Sequence, residues 1–157
     1  MLEWGHKSEG AVRVLHDESV VAEVRASSFR ERADVTIGAA QWEFLKRGGS
    51  LHGVPEGATG AMIASRRSVF RQGWEVEADA QTYRIQPEGF WQNSYSVERS
   101  GIRIGESRKA GFWSNRPTLD VDASVPLHHQ VFLLWVAFIM RRRASSAAGT
   151  TAGGGAG

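Results

Sequence analysis

The chain has 157 residues, 41% of them hydrophobic and 23% charged, with a formal net charge of +2 and no cysteine. That length suits one domain with a sizeable core. The net charge is too small by itself to imply a nucleic-acid partner, and the lack of cysteine excludes disulfides and thiolate metal sites. The basic residues are uneven, 16 Arg against 3 Lys (Lys7, Lys46 and Lys109). Residues 1–9 contain no apolar run of the kind a secretory signal needs, so a cytoplasmic protein is expected.

Residues 11–15 and 20–25 alternate or run apolar and predict two strands, joined by a polar turn at His16-Asp17-Glu18-Ser19. Strands over 33–37 and 42–45 flank Gly38, Ala39 and Ala40. Residues 47–59, broken by Gly48-Gly49-Ser50 and Pro55-Glu56-Gly57, read as the longest loop. Strands follow over 61–64, 74–78 and 82–86, then a turn at Pro87-Glu88-Gly89. Residues 95–98 and 102–105 form a hairpin about Arg99-Ser100-Gly101, and 118–121 is the last strand. Short strands at intervals of roughly 8–12 residues predict an all-β sandwich or barrel.

One strand pattern recurs. Residues 29–35 superimpose on 70–76 with a shift of 41, and the register holds through Ala39 on Ala80, Trp42 on Tyr83 and Phe44 on Ile85. A third copy begins at Arg116: arginine, two residues, an apolar residue, an acid, then valine (Arg116, Leu119, Asp120, Val121). Such repetition marks units that cannot bury an apolar face alone. After the third copy no closing strand follows. A helix is predicted instead over about 126–143, with Pro126 at its start and Asp122 or Ser124 as its cap. Residues 131–140 are ten apolar positions without a polar face, so the helix must be enclosed by protein. Ten is well short of the roughly 20 needed to cross a bilayer. Arg141, Arg142 and Arg143 end the helix with cations that suit its dipole. Residues 144–157, rich in Gly, Ala, Ser and Thr, are expected to be a flexible tail beyond a single domain of residues 1–143.

A β-rich repeat closed around an apolar helix suggests a barrel too wide to fill itself and supplied with a plug. The three-fold strand pattern, the basic-flanked hairpins and Val125-Pro126-Leu127 leading into Phe132, Leu133, Leu134, Trp135 and Phe138 resemble the tubby C-terminal-like superfamily over roughly residues 10–143. Tubby domains, phospholipid scramblases and plant LURP-one-related proteins belong to it. The resemblance implies an all-β barrel of about twelve strands, here from three repeats, enclosing one hydrophobic C-terminal α-helix. It also implies kinship with phosphoinositide-binding members.

Candidate binding residues come from the hairpins. Arg66-Arg67 precedes Phe70 and Arg108-Lys109 precedes Phe112, each as basic-basic-x-x-Phe, while Arg25 stands alone before Phe29. Equivalent positions in repeats occupy equivalent places in space, so Arg66, Arg67, Arg108 and Lys109 are expected on one rim. A basic rim beside aromatics can hold anionic lipid headgroups or a phosphate-bearing polymer; the bland alternative is solvated turn charges. Trp42, Trp74 and Trp135 read as core, and Trp91 and Trp113, next to Phe90 and Phe112, as exposed aromatics.

Other constellations are weaker. Asp120, Asp122 and Ser124 have the oxygen spacing of a calcium loop, but Val125 and Val131 stand where such a loop needs glycine and glutamate. Strand exit and helix capping is the better reading. His128-His129 lacks chelating spacing, since helix neighbours point about 100° apart, and no third ligand is near in sequence. No metal or cofactor is expected, and the pair reads as a polar first turn facing the barrel mouth. No nucleophile elbow or phosphate loop is present, and paired carboxylates such as Asp17-Glu18 fall on turns. The expectation is a non-enzymatic cytoplasmic module, peripheral at a membrane, that binds anionic phospholipid headgroups or another anionic ligand. A protein–protein interaction module is the alternative. Scramblase-like lipid transfer is a weaker one, against which the short helix counts.

Overall fold

The computed structural model describes residues 1–27, 31–57, 61–66, 73–90 and 93–151. Among these, twelve strands form a closed antiparallel barrel in which each pairs with its neighbours in sequence. They are β1 (Leu2–Ser8), β2 (Ala11–His16), β3 (Ser19–Ala26), β4 (Arg32–Ile37), β5 (Ala40–Arg47) and β6 (Ser50–Pro55), then β7 (Met62–Arg66), β8 (Trp74–Ala78), β9 (Gln81–Glu88), β10 (Ser94–Arg99), β11 (Ile102–Lys109) and β12 (Pro117–Val121). The helix α1 (Leu127–Thr151) follows. Alternation puts Val14, Val24, Val35, Val76, Ile85 and Val97 inside, while Glu23, Asp34, Glu43 and Arg84 lie on the outer face. This is the inverse of a bilayer-embedded barrel, whose outer band is apolar.

The repeat is visible in the pairing. The 41-residue shift carries β5 onto β9, and in the three units Ala33 pairs with Phe44, Trp74 with Ile85 and Leu119 with Leu2. The closing strand missing after β12 is therefore β1, contributed by the start of the chain. The expectation that strands begin at residue 11 is corrected accordingly. Leu2 and Trp4 were too short an apolar signal by themselves. A register shift between Trp4 and Lys7 then breaks the alternation, and Gly5 packs so closely on β2 that a Cβ there would lie 2.6 Å from the Arg13 carbonyl oxygen.

The loop expected over 47–59 is also corrected, because it contains β6. Gly48 (φ +58°) makes the hairpin turn. Gly53 lies on the inner face, where a Cβ would meet the Phe132 ring at 3.0 Å. Its glycine marks close approach of the helix rather than a break. Likewise β9 runs on through Pro87 and Glu88, and the chain turns at Gly89 (φ +71°).

α1 fills the lumen. Phe132, Leu133, Leu134 and Trp135 are fully buried and Phe138 partly so. Phe44 meets Phe132 edge-on at 5.1 Å and Trp135 at 5.3 Å, and Trp4 stacks on Phe138 at 4.7 Å. A helix with side chains is about 10–12 Å across, and the inward Ala22, Ala33, Ala64 and Gly53 leave room for its large rings. Pro126 precedes the helix and accepts its first bond, from the Gln130 N–H at 3.0 Å; the Asp122 carboxylate accepts from the Ser124 N–H, organising the turn before it.

The helix does not stop at the arginines. It continues to Thr151, so residues 144–151 of the expected tail are helical, whereas 152–157 lie outside the described residues. Extension from an already formed helix requires no new nucleation, and alanine is the best helix former. Arg141 and Arg143 consequently act as clamps. The Arg141 guanidinium, 3% exposed, donates to the carbonyls of Asn93 and Ser107, both at 3.2 Å, and lies 4.5 Å from the centre of the Tyr95 ring. Arg143 donates to both Glu31 oxygens at 2.7 and 2.6 Å and covers the Trp74 ring.

Two predictions arise here. Trp135→Ala removes a large buried ring from the packed lumen and should cost about 3–5 kcal/mol. A soluble variant with an unchanged melting temperature would refute the plug. The second concerns pH. The hydrogen bonds from Arg143 hold the Glu31 carboxyl below its ordinary value of 4.5. A carboxylate depressed in the folded state adds stability above its unfolded pKa and loses it as pH falls through the folded value. Glu31→Gln should therefore cost about 1 kcal/mol near neutral pH, and the gap from the parent should close as pH drops below about 4. A gap that stayed constant from neutral to acid in denaturant titrations would exclude the ion pair as a clamp.

Candidate functional site

With the lumen filled by α1, the two mouths and the outer face remain for surface chemistry. In an antiparallel barrel all odd-numbered strands run toward one end. α1 leaves the barrel there, since Arg141 meets the Asn93 carbonyl between β9 and β10, and Arg143 meets Glu31 between β3 and β4. At this exit mouth the last two residues of β1, β3, β5, β7 and β11 include Lys7, Arg25, Lys46 with Arg47, Arg66, and Arg108 with Lys109. Only β9 ends in an acid, Glu88. All three lysines of the chain lie on this rim. The opposite, entry mouth carries Asp17, Glu18, Glu56, Asp79 and Asp122 in its turns. A net charge of +2 thus hides a barrel polarised along its axis.

Of the expected basic residues, Arg66, Arg108 and Lys109 reach this mouth but not a single patch. Arg66, at the end of β7, lines a cleft of about 450 Å³ together with Trp74, Tyr95 and Arg143. Arg108 and Lys109, at the end of β11, line a second cleft of about 510 Å³ with Asn93, Ser94 and Phe112. Four interstrand steps of about 4.8 Å separate β7 from β11, roughly 19 Å along the rim. Arg108 is tied to Glu106 at 2.7 Å, whose carboxylate also accepts from Arg103. Arg67, Phe29, Phe70 and Trp91 lie outside the described residues.

Exposed aromatics share this mouth. Phe90, between β9 and β10, is 91% exposed; Phe112 and Trp113, between β11 and β12, are 86% and 95% exposed. Trp113 matches the reading of an exposed aromatic, and Trp74 and Trp135 are core, while Trp42 is only half-buried.

The entry mouth holds the grouping that sequence spacing missed. Asp79 (φ +45°) and Ala80 (φ +63°) form the left-handed turn between β8 and β9. Asp79 Oδ2 lies 2.6 Å from His128 Nε2 and 2.8 Å from His129 Nε2. His129 is 1% exposed, and its Nδ1 is 2.8 Å from the Tyr83 hydroxyl. The Trp42 ring stacks on His128 at 5.5 Å. Although neighbouring histidines diverge on a helix and no third ligand is near in sequence, the fold brings both onto one carboxylate. Long imidazole side chains overcome the angular offset, and the third donor arrives from a turn 49 residues away in sequence. Hydrogen bonds from His128, then His129, hold the Asp79 carboxyl below its usual range; burial lowers the His129 imidazole, opposed by Asp79. No sequence signal marked Asp79, since Ala78-Asp79-Ala80 is a turn without glycine.

Among the described residues, no helix is long and apolar enough to cross a membrane. Comparison with protein-family models, with curated proteins and with solved structures found no match to this chain.

Proposed function

We propose that the protein is a non-catalytic module that docks its exit mouth on an anionic phospholipid surface, as a peripheral protein on the cytoplasmic side. The observation that carries this reading is the coincidence of basic strand ends with Phe90, Phe112 and Trp113 on one rim. Cations near an anionic surface each contribute about 1 kcal/mol. Aromatic rings on loop tips favour the headgroup region, where an apolar body and a polar edge are both satisfied. The two clefts, one with Arg66 and Arg143 and the other with Arg108 and Lys109, offer places for individual phosphate groups. A closed twelve-strand barrel around a C-terminal helix is also the fold implied by the resemblance to the tubby C-terminal-like superfamily, and membership with phosphoinositide-binding kin is part of the proposal. Scramblase-like transfer is less favoured, because the apolar part of α1 is consumed by the lumen.

Flotation with vesicles of graded anionic content tests this. The triple reversal Arg66→Glu, Arg108→Glu, Lys109→Glu should weaken binding at least a hundredfold while the fold survives, since exposed charges contribute about 1 kcal/mol or less each to stability. Single reversals should each cost roughly five- to tenfold at low salt and less at high salt. Phe112→Ser with Trp113→Ser should weaken binding by an amount that barely changes with salt. Indifference of the parent protein to anionic vesicles would sink the proposal. The exposed rings would then favour a protein partner.

A further inference from the structure

We propose that Asp79, His128 and His129 bind a divalent cation of borderline softness, zinc foremost, at the entry mouth. Their ligating atoms all lie within 4.8 Å of one another, and both imidazoles turn the same nitrogen, Nε2, toward Asp79 Oδ2. Two imidazole nitrogens and one carboxylate oxygen form a donor set suited to zinc with a remaining position for water. The solvent side of the trio is open, Asp79 being 68% exposed while His129 is 1% exposed.

Each donor is held from behind. The Tyr83 hydroxyl oxygen, at 2.8 Å from His129 Nδ1, can accept a hydrogen bond from the Nδ1–H tautomer, which leaves the Nε2 lone pair for a cation. The Trp42 ring fixes the plane of His128. The left-handed turn presents Asp79 to both imidazoles. Zinc bonds of about 2.0–2.2 Å place tetrahedral ligands about 3.4 Å apart. The present separations of 2.6 and 2.8 Å are those of hydrogen bonds, so a cation replaces those protons and moves Asp79 outward by several tenths of an ångström. An exposed turn permits that shift. The bound ion would fasten the first turn of α1 to the β8–β9 hairpin, so occupancy would be read as stability of the plug.

The test uses the untagged full chain, freed of metal by a chelator, titrated with zinc chloride by calorimetry and followed by thermal melting. The expected result is one zinc per chain and a melting temperature that rises with zinc. Asp79→Asn keeps an acceptor and a side chain tolerant of the left-handed turn, yet it is a poor ligand. It should weaken zinc binding about a hundredfold or more and abolish the zinc-dependent rise, as should His128→Gln. Tyr83→Phe should weaken binding roughly tenfold while sparing the donors. No zinc uptake by the parent would overturn the proposal. So would parent-like affinity in either Asp79→Asn or His128→Gln, which would place the ion on His6, His16 or His52 instead.

Discussion

Mutual burial of ring and helix is the constraint on which the rest of the molecule depends. A helix apolar on every side cannot face water, and twelve strands enclose more space than their own side chains fill. Each element is unstable without the other. This explains the inward Ala22, Ala33, Ala64 and Gly53, which would be poor core residues in a barrel that filled itself. They are small because Phe132, Trp135 and their neighbours supply the missing volume. It also explains why the chain needs no edge protection, since closure of β1 on β12 removes the last unpaired edges.

A plug that is greasy all round can slide or rotate unless its ends are held, and polar groups hold both. At the entry mouth His128 and His129 converge on Asp79. At the exit mouth Arg141 is fixed by two carbonyls and the Tyr95 ring, and Arg143 by Glu31. These bonds are directional where the lumen contacts are not. They set the depth and rotation of the helix, at the cost of desolvating Arg141, whose proton affinity burial lowers.

Filling the lumen also moves function outward. A barrel of this size without a helix would bind in its interior, whereas here only the mouths and outer face remain. Strand direction then sorts charge. Residues that end odd strands accumulate at one mouth, so five separate basic strand ends become a single electrostatic feature although they are spread along the whole sequence. The acidic turns collect at the other end by the same geometry. Such polarity orients a molecule on a charged surface even when its net charge is small.

How much of this is legible in the chain follows from what each interaction spans. The 41-residue register, the enclosed helix and the barrel class rest on periodicity, which is local or repeats at fixed intervals, and these the residues alone determine. Arg66 and Lys109 are at a shared mouth because repeats carry equivalent positions to equivalent places. Their separation into two clefts is not legible, because it depends on strand spacing around the ring. β1 and β6 were hidden because Leu2, Trp4, Leu51 and Gly53 form strands only through partners, β1 by closing against β12 and β6 by lying under Phe132. The helical stretch over 144–151 was hidden because its nucleus lies in the buried residues before it. Asp79 joined to His128 and His129 is the extreme case. Its members lie 49 and 50 residues apart, so only closure of the barrel around the helix decides that they meet.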